Sequence, residues 1–478
     1  MIELTLAEVA ALVDGRLADA DPATVVTGTV EYDSRAVTAG GLFLALPGEQ
    51  VDGHDYAAAA VAAGAVAVLC TRPVDAPRIE VADGIAALTQ LATGVAQRLN
   101  ATVIGLTGSS GKTSTKDLIA HVVRSAGPTV APAGSQNNEL GHPYTVLKAD
   151  AATRFLVLEM GARGIGHIRH LCEIAPPNIG VVLNVGSAHL GEFGSREAIA
   201  TAKGELVEAL PADGVAVLNA DDPLVSAMAA RTSARVVTFG ETSSADVWAS
   251  DVALDDLGRA AFTLRHGESS APVSLRLVGA HHVSNSLATA AVGLEAGLSV
   301  ESVAATLSTA VAESRWRMET TERADGVLVI NDAYNANPES MRAALKALAA
   351  VARPRRAQGG RSFAVLGPMA ELGDTAPAEH DALGRLAVRL DISQVIAVGE
   401  AARPIQHGAA LEGSWDGEAA WVPDVAAAID MLRAELRPGD VVLVKASRAA
   451  SLERVALAIA EDALVDTSRP ENEGGGAA

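Results

Sequence analysis

The sequence predicts an α/β protein of three domains, and three observations carry that prediction. The chain has 478 residues, about three domains' worth at ~100–200 residues each. Short apolar runs of strand length alternate with helical patterns along most of it, the rhythm of parallel sheets covered by helices. Hydrophobic residues at 49% and charged residues at 20% supply several cores. Aromatics are only 3%, which leaves the core volume to Ala, Val and Leu.

The elements follow in order. Gly41-Leu-Phe-Leu-Ala-Leu-Pro reads as a strand, then come a helix over Asp55–Ala63, a strand over Ala65–Cys70 and a helix around Ile85–Asn100. Thr102-Val-Ile-Gly-Leu is a buried strand that opens a second unit, whose further strands are Phe155–Leu158, Ile179–Asn184, Val215–Asn219 and Val236–Phe239. From Asp246 to Leu277 the pattern alternates with period two, which predicts antiparallel strands, and a helix over Val283–Ala296 closes the unit. A third βα series starts near Arg315, with strands at Val327–Asn331, Phe363–Leu366, Val395–Val398 and Val441–Val444. The expected domains are 1–98, 99–313 and 314–466, with a polar, Gly-rich and disordered tail over 467–478.

Charge narrows the partners. Lys and Arg total 37 against 58 Asp and Glu, a net charge of −21, which repels nucleic acid. The densest basic stretch, Arg353, Arg355 and Arg356, is short and falls in an expected loop. Any anionic substrate must therefore be held by a few placed cations and backbone amides. Cys70 and Cys172 are too few for a disulfide framework and fit a reducing interior. The longest uncharged apolar run, Ala57–Cys70, is shorter than the ~20 residues that span a bilayer. The first residues carry no basic leader pattern. The expectation is a cytoplasmic monomer without a membrane span.

Thr107-Gly-Ser-Ser-Gly-Lys-Thr-Ser lies between the strand ending at Leu106 and a helix from about Thr113. Glycines let amides converge on phosphate, and the helix N-terminus adds positive potential. Gly108, Ser109, Ser110, Gly111, Lys112, Thr113 and Ser114 are thus the candidate nucleotide loop, with Lys112 on the β/γ-phosphates and the Thr113 hydroxyl on Mg²⁺. The longer G-x-x-x-x-G-K-[ST] spacing fails because position 106 is Leu. A plain βα turn with an exposed Lys112 is the bland reading; the flanking strand and helix favour the nucleotide. Switch, motor, kinase and ligase stay open at this point, although no Asn-Lys-x-Asp is present for guanine.

Further segments follow in order: Asn137-Asn-Glu-Leu-Gly, Leu158-Glu-Met-Gly, Asn184-Val-Gly-Ser-Ala-His-Leu-Gly, Ala202-Lys-Gly-Glu, Gly279-Ala-His-His-Val-Ser-Asn, Arg317-Met-Glu and Asn331-Asp-Ala-Tyr-Asn-Ala-Asn-Pro. This set resembles the Mur ligase family, ATP-dependent amide-bond formers of bacterial peptidoglycan synthesis. The resemblance implies an N-terminal UDP-substrate domain, a central P-loop ATPase-like domain with a mainly parallel sheet, and a C-terminal Rossmann-like domain. It also implies two Mg²⁺ ions, with Thr113, Glu159, His189 and Lys203 as metal residues, Lys203 modified by CO₂ to a carbamate. Catalysis would rest on Lys112, Glu159, His189 and Lys203; ATP would also meet His281, Asn285, Arg317 and Asp332. Ser34, Arg35, His54, Asn137 and Asn138 would bind the UDP-muramoyl substrate side, and Asn335, Asn337 and Arg448 the dipeptide.

Residues 332–338, Leu366-Gly-Pro-Met with His380 following, and Val444-Lys-Ala-Ser-Arg point to UDP-N-acetylmuramoyl-tripeptide and D-alanyl-D-alanine as substrates. The alternatives are a sister ligase that adds a single amino acid, and a binding protein gated by ATP hydrolysis. Three departures from the family stand out: His282 in place of Asn, Ala446 in place of Gly, and Pro368 in place of Asp. The bland reading of Lys203 is a helix-surface lysine, since Glu205 and Glu208 lie nearby. Asp221 and Asp222 precede Pro223 and are expected in a turn; Tyr334 and Trp316 suit packing and ligand platforms equally.

Overall fold

The computed structural model describes residues 1–48, 51–186, 190–413 and 417–462. His189 and the segment 467–478 lie outside the described residues.

Three large sheets organise the described residues, with a two-stranded ribbon of Leu4–Thr5 and Val25–Val26 beside them. The first has five strands in the order Arg16–Ala18, Arg78–Glu80, Ala65–Cys70, Gly41–Leu44 and Val30–Glu31. The second has nine. At its heart Thr102–Thr107 lies between Phe155–Glu159 and Ile179–Val182, both parallel to it. The chain leaves Thr102–Thr107 toward Thr129–Val130 and Phe155–Glu159 on one side, then crosses to Ile179–Val182 and Val215–Asn219 on the other. Strand order reverses there, and a crevice opens beyond the strands' C-terminal ends, where ligands of open α/β sheets bind. These strands read as unbroken apolar runs because helices cover both faces.

The period-two stretch forms the strands Val247–Leu254, Arg259–His266 and Ser269–Val278, paired antiparallel. The helix His282–Glu295 packs on the phosphate-loop helix Lys112–Val123. A further helix, Val300–Leu307, capped by Ser299, was not foreseen in the sequence.

The third sheet has six strands, ordered Glu319–Glu322, Leu328–Asn331, Val441–Lys445, Ser362–Leu366, Gln394–Val398 and Ala419–Val422. All pair in parallel except the first two. Glu319–Glu322 and Ala419–Val422 are edge strands whose composition did not announce them. The expected loop at Arg353, Arg355 and Arg356 is corrected: all three occupy the last turn of the helix Pro338–Arg356. Cations there complement the helix dipole, and Arg355 also donates to the Gly326 carbonyl at 2.8 Å.

One apolar core runs through the first sheet and into the second, from Leu4, Leu69 and Leu91 to Val146, Leu171 and Leu218. The third sheet has a core on each face, one of which also takes in Val278 of the second sheet. Both cysteines are buried free thiols. Among the described residues no helix is long and apolar enough to cross a membrane.

Candidate active site

The phosphate loop leaves Thr102–Thr107 at the sheet's reversal point. Gly111 has φ +78°, and a Cβ there would stand 2.8 Å from the Asn285 amide oxygen, so both the turn and the close approach require glycine. Asn184, at the end of the neighbouring strand, accepts the amides of Ser109 and Ser110 at 3.0 and 2.9 Å and fixes the loop's course. In the sequence it opened a family segment, but nothing there assigned it this role. Lys112 is not the exposed lysine the loop suggested. It is half-buried and donates to the Gly108 carbonyl at 2.8 Å. Burial lowers its ammonium pKa, with Glu159 opposing the shift.

Glu159 ends its strand facing the loop and is 1% exposed. Its Oε1 accepts from Ser135 at 2.8 Å and from Asn137 at 2.6 Å, whereas Oε2 is buried and has no partner. A buried carboxylate oxygen without a donor suits a hard cation. Among the described residues no three His, Cys, Asp or Glu side chains gather as a metal cluster. A Mg²⁺ at this place would draw on Glu159, the Thr113 hydroxyl and phosphate oxygens.

Lys203 corrects the surface reading. It lies on the buried face of the helix Arg196–Glu208, whose Leu206 fits the space left by Gly105 and Gly180 on the sheet. Burial, with the Lys112 charge nearby, pushes its pKa well below the ordinary lysine value. Glu205 is buried too, accepting the Gly166 and Arg169 amides at 2.5 and 3.0 Å at the start of the helix His167–Ile174.

Third-domain residues reach this loop. Arg317 donates to the Thr113 hydroxyl at 3.0 Å, with its guanidinium 4.2 Å from the Tyr334 ring centroid. Tyr334 is thus a platform for Arg317. Asn337 caps the helix Pro338–Arg356 and donates to the Ser109 carbonyl at 3.2 Å. Arg448 lies 4.4 Å over Trp316 and pairs with Glu453 at 2.8 Å. Asp332 accepts from Lys445 at 2.6 Å and from the Met318 amide at 3.1 Å, so both oxygens are engaged inside the third domain. Lys445, 2% exposed, also donates to the Asn335 carbonyl at 2.8 Å. It was not singled out in the sequence. His281 and His282 stack with ring centroids 4.3 Å apart. Their Nδ1 atoms and the Asn285 Nδ2 are buried without partners, and burial lowers both imidazole pKa values.

A cavity of about 730 Å³ brings Lys112, Thr113, Glu159 and Asn137 together with Arg317 and Arg448. Asn138, Asn335 and Asn337 also line it, as do Arg163 and His167, which no sequence signal marked.

Comparison with known proteins fits this geometry. The Mur ligase family catalytic domain matches residues 28–95, the Mur ligase middle domain 106–293 and the Mur ligase glutamate ligase domain 316–448. The UDP-N-acetylmuramoyl-tripeptide--D-alanyl-D-alanine ligase of Mycobacterium tuberculosis is 55% identical, over 98% of this chain and 100% of the relative. The chain belongs to the Mur ligase family. Its Escherichia coli relative of the same name is 35% identical over 97% of this chain and 99% of the relative. Among solved structures, MurF from Acinetobacter baumannii superposes with a TM-score of 0.83 at 32% identity, covering 96% of this chain and 99% of that one. MurF from Thermotoga maritima, solved with ADP, gives 0.77 at 30% identity over 91% and 97%.

Among the predicted site residues, Gly108, Ser114, Lys203, His281, Asn285 and Asp332 do not line this cavity, and neither do Ser34, Arg35 and His54 of the first domain. Arg35 is exposed, and its guanidinium pairs with Asp33 at 2.7 and 2.9 Å, holding that carboxyl at a pKa of about 2. Ser34 opens the same short turn. His54 is buried with both ring nitrogens in use: Nδ1 meets Asp52 at 2.6 Å, and Nε2 accepts the Thr71 amide at 3.1 Å. It fastens the turn at 52–56 to the end of the strand Ala65–Cys70, a structural duty that accounts for its burial. Asp222, as expected, serves a turn: it caps the helix Pro223–Ser226.

Proposed function

We propose that this ligase joins D-alanyl-D-alanine to UDP-N-acetylmuramoyl-tripeptide, consuming ATP through an acyl phosphate. The observation that carries the reading is the meeting of the phosphate loop, the partnerless Glu159 oxygen and the third domain's Arg317 around one cavity. Relatives sharing the chain's full span and bearing that printed activity support the substrate pair.

Loop amides and Lys112 hold the β/γ-phosphates. The tripeptide carboxylate attacks the γ-phosphorus in line; the bond to ADP breaks and an acyl phosphate forms. The dipeptide amine then attacks the acyl carbon, and phosphate leaves from a tetrahedral intermediate. Lys112 and Arg317 offset charge on the transferring group, so catalysis is positioning plus electrostatics. Mg²⁺, when held by Glu159 and Thr113, adds charge neutralisation at the same oxygens. Asn335, Asn337 and Arg448 would then contact the dipeptide, and Asn137 and Asn138 the carboxylate substrate; all five line the cavity.

The Lys203 assignment as a carbamate rests on its burial. A buried amine with a depressed pKa is in the free-base form that attacks CO₂; the N–C bond forms and a proton leaves to solvent. The product carries −1 where the free base carries none, and would offer two hard oxygens to a second Mg²⁺, with His189 as the partner ligand. Reduced Cys70 and Cys172 and the use of ATP suit the cytoplasm.

The decisive experiment offers D-alanyl-D-alanine, meso-diaminopimelate and lysine in parallel, with UDP-muramoyl-tripeptide and ATP. A product heavier by the dipeptide residue mass, with phosphate release dependent on both substrates, is expected. A single-residue adduct would reassign the ligase within its family. Phosphate release indifferent to either substrate would remove the ligase reading altogether.

A further inference from the structure

The linker into the third domain runs back along the phosphate-loop helix Lys112–Val123. Four side chains from this helix and its C-cap bond to it: Arg124 to Glu313 at 2.7 Å, His121 to Thr309 at 3.2 Å, Asp117 to the Ser314 amide at 3.1 Å, and Thr113 to Arg317 at 3.0 Å. Positions 113, 117, 121 and 124 recur at helical spacing and form one stripe. The four links are unequal. Those at His121 and Arg124 are exposed, and such contacts contribute little. Asp117 is buried: one oxygen is tied to the buried Lys116 ammonium and the other accepts from Ser314, itself 7% exposed. Lys116 donates as well to the Pro132 carbonyl at 2.7 Å. A charge-assisted bond inside the protein is the strong kind.

Downstream, the turn that carries Arg317 is fixed from the other side. Trp316 and Met318 both have left-handed backbones, φ +60° and +53°, which bulky residues adopt only when their surroundings dictate it. The Trp316 amide donates to Glu319 at 3.0 Å and the Met318 amide to Asp332 at 3.1 Å, so the third domain clamps the turn at two points. The central domain's buried hold on the same segment is at Ser314. Arg317 sits between the two clamps.

We propose that Asp117 is a positioning residue: anchored by Lys116, its carboxylate holds the Ser314 amide and so sets where Arg317 enters the phosphate loop. This rests on the ligase reading above, in which Arg317 acts on the transferring phosphoryl group. Misplacing Arg317 removes stabilisation made only in the transition state, and lowers kcat with little change in KM for ATP.

The test compares two double variants of equal charge in the full chain. Lys116→Met with Asp117→Asn removes the ion pair but keeps an oxygen that accepts the Ser314 amide. Lys116→Met with Asp117→Leu removes the acceptor. The Asn variant should ligate within about 3-fold of the parent, and the Leu variant about 30-fold or more slower in kcat with KM for ATP within about 3-fold. Should the Leu variant fail to fold, Ser314→Pro deletes the donor, leaves Lys116 and Asp117 in place, and should show the same kcat loss. Equal kcat in folded Asn and Leu variants, or an unaffected Ser314→Pro, overturns the proposal. A parent that does not ligate overturns the underlying reading instead.

Discussion

The Arg317 guanidinium and the Thr113 hydroxyl lie 204 positions apart in sequence and are joined by a 3.0 Å hydrogen bond. A residue of the third domain thereby contacts the phosphate-loop side chain proposed for Mg²⁺. Arg317→Ala should lower kcat by about 10³-fold, the scale of a phosphate-directed arginine supplied across an interface. Arg317→Lys keeps the charge but loses the planar fork that spans Tyr334 and Thr113, and should recover only part of the rate. Steady-state ligation kinetics decide; an unimpaired Ala variant removes Arg317 from the chemistry.

Lys112→Met should also cost about 10³-fold or more in kcat, since it deletes a cation aimed at the transferring group. Its thermal midpoint should not fall. The ammonium is desolvated, and methionine retains the packing without the charge. Calorimetric unfolding beside the rate assay checks both halves.

Glu159→Gln keeps the Ser135 and Asn137 neighbours but neutralises the partnerless Oε2. The variant should bind ADP as the parent does without Mg²⁺ and lose the additional affinity that Mg²⁺ confers. Titration calorimetry with and without the ion reads this directly. An unchanged Mg²⁺ increment would exclude Glu159 as a ligand.

Lys203 gives a pH signature. Its native pKa lies well below the ordinary 10.5, so between those two values the unfolded chain binds the extra proton. In CO₂-free buffer, stability should therefore rise with pH across that window. Lys203→Met should flatten the dependence, as denaturant unfolding at several pH values will show. Lys203→Ala should ligate very slowly and be partly rescued by short carboxylic acids. Full activity in Lys203→Ala would end the carbamate assignment.

His54→Ala sets the structural duty of this side chain against the expected ligand role. Losing both ring contacts should reduce stability by about 2–3 kcal/mol while KM for the UDP-substrate stays near the parent's. A large rise in KM with unchanged stability would return His54 to the binding site.

Legibility in the sequence followed physical cause. Ala65–Cys70 and Val215–Asn219 are recovered residue for residue because strands buried on both faces write an uninterrupted apolar run. Glu319–Glu322 could not be read that way: an exposed edge strand of Glu and Thr gives no such run. The helix through Arg353–Arg356 continues past Pro354, which reads locally as a stop. The phosphate loop was visible because its parts are contiguous. Arg317 and Asn337 were placed by family motifs, with no local pattern pointing to them. Lys445 lay within the motif Val444-Lys-Ala-Ser-Arg but carried no role, because that role exists only once Asp332, 113 positions away, follows directly on the adjoining strand Leu328–Asn331. A solvent-facing Lys203 stayed open as the alternative because Glu205 and Glu208 lie nearby, while the small Gly105 and Gly180 that receive its helix lie on two strands.

The core that runs unbroken from Leu4 to Leu218 gives the molecule an asymmetry in how it comes apart. Its first two sheets share one pool of apolar burial and should melt as a single calorimetric event. The third sheet packs mainly within its own cores, shares only Val278 of the second sheet with one of them, is joined to the loop through polar links, and is free to melt separately. Two endotherms are expected for three sheets. A saturating nucleotide that bridges the polar seam should draw those endotherms together, because ligand held by both sides binds neither half once they part. The seam that assembles the catalytic groups is thus also the line along which the ligase's cooperativity divides.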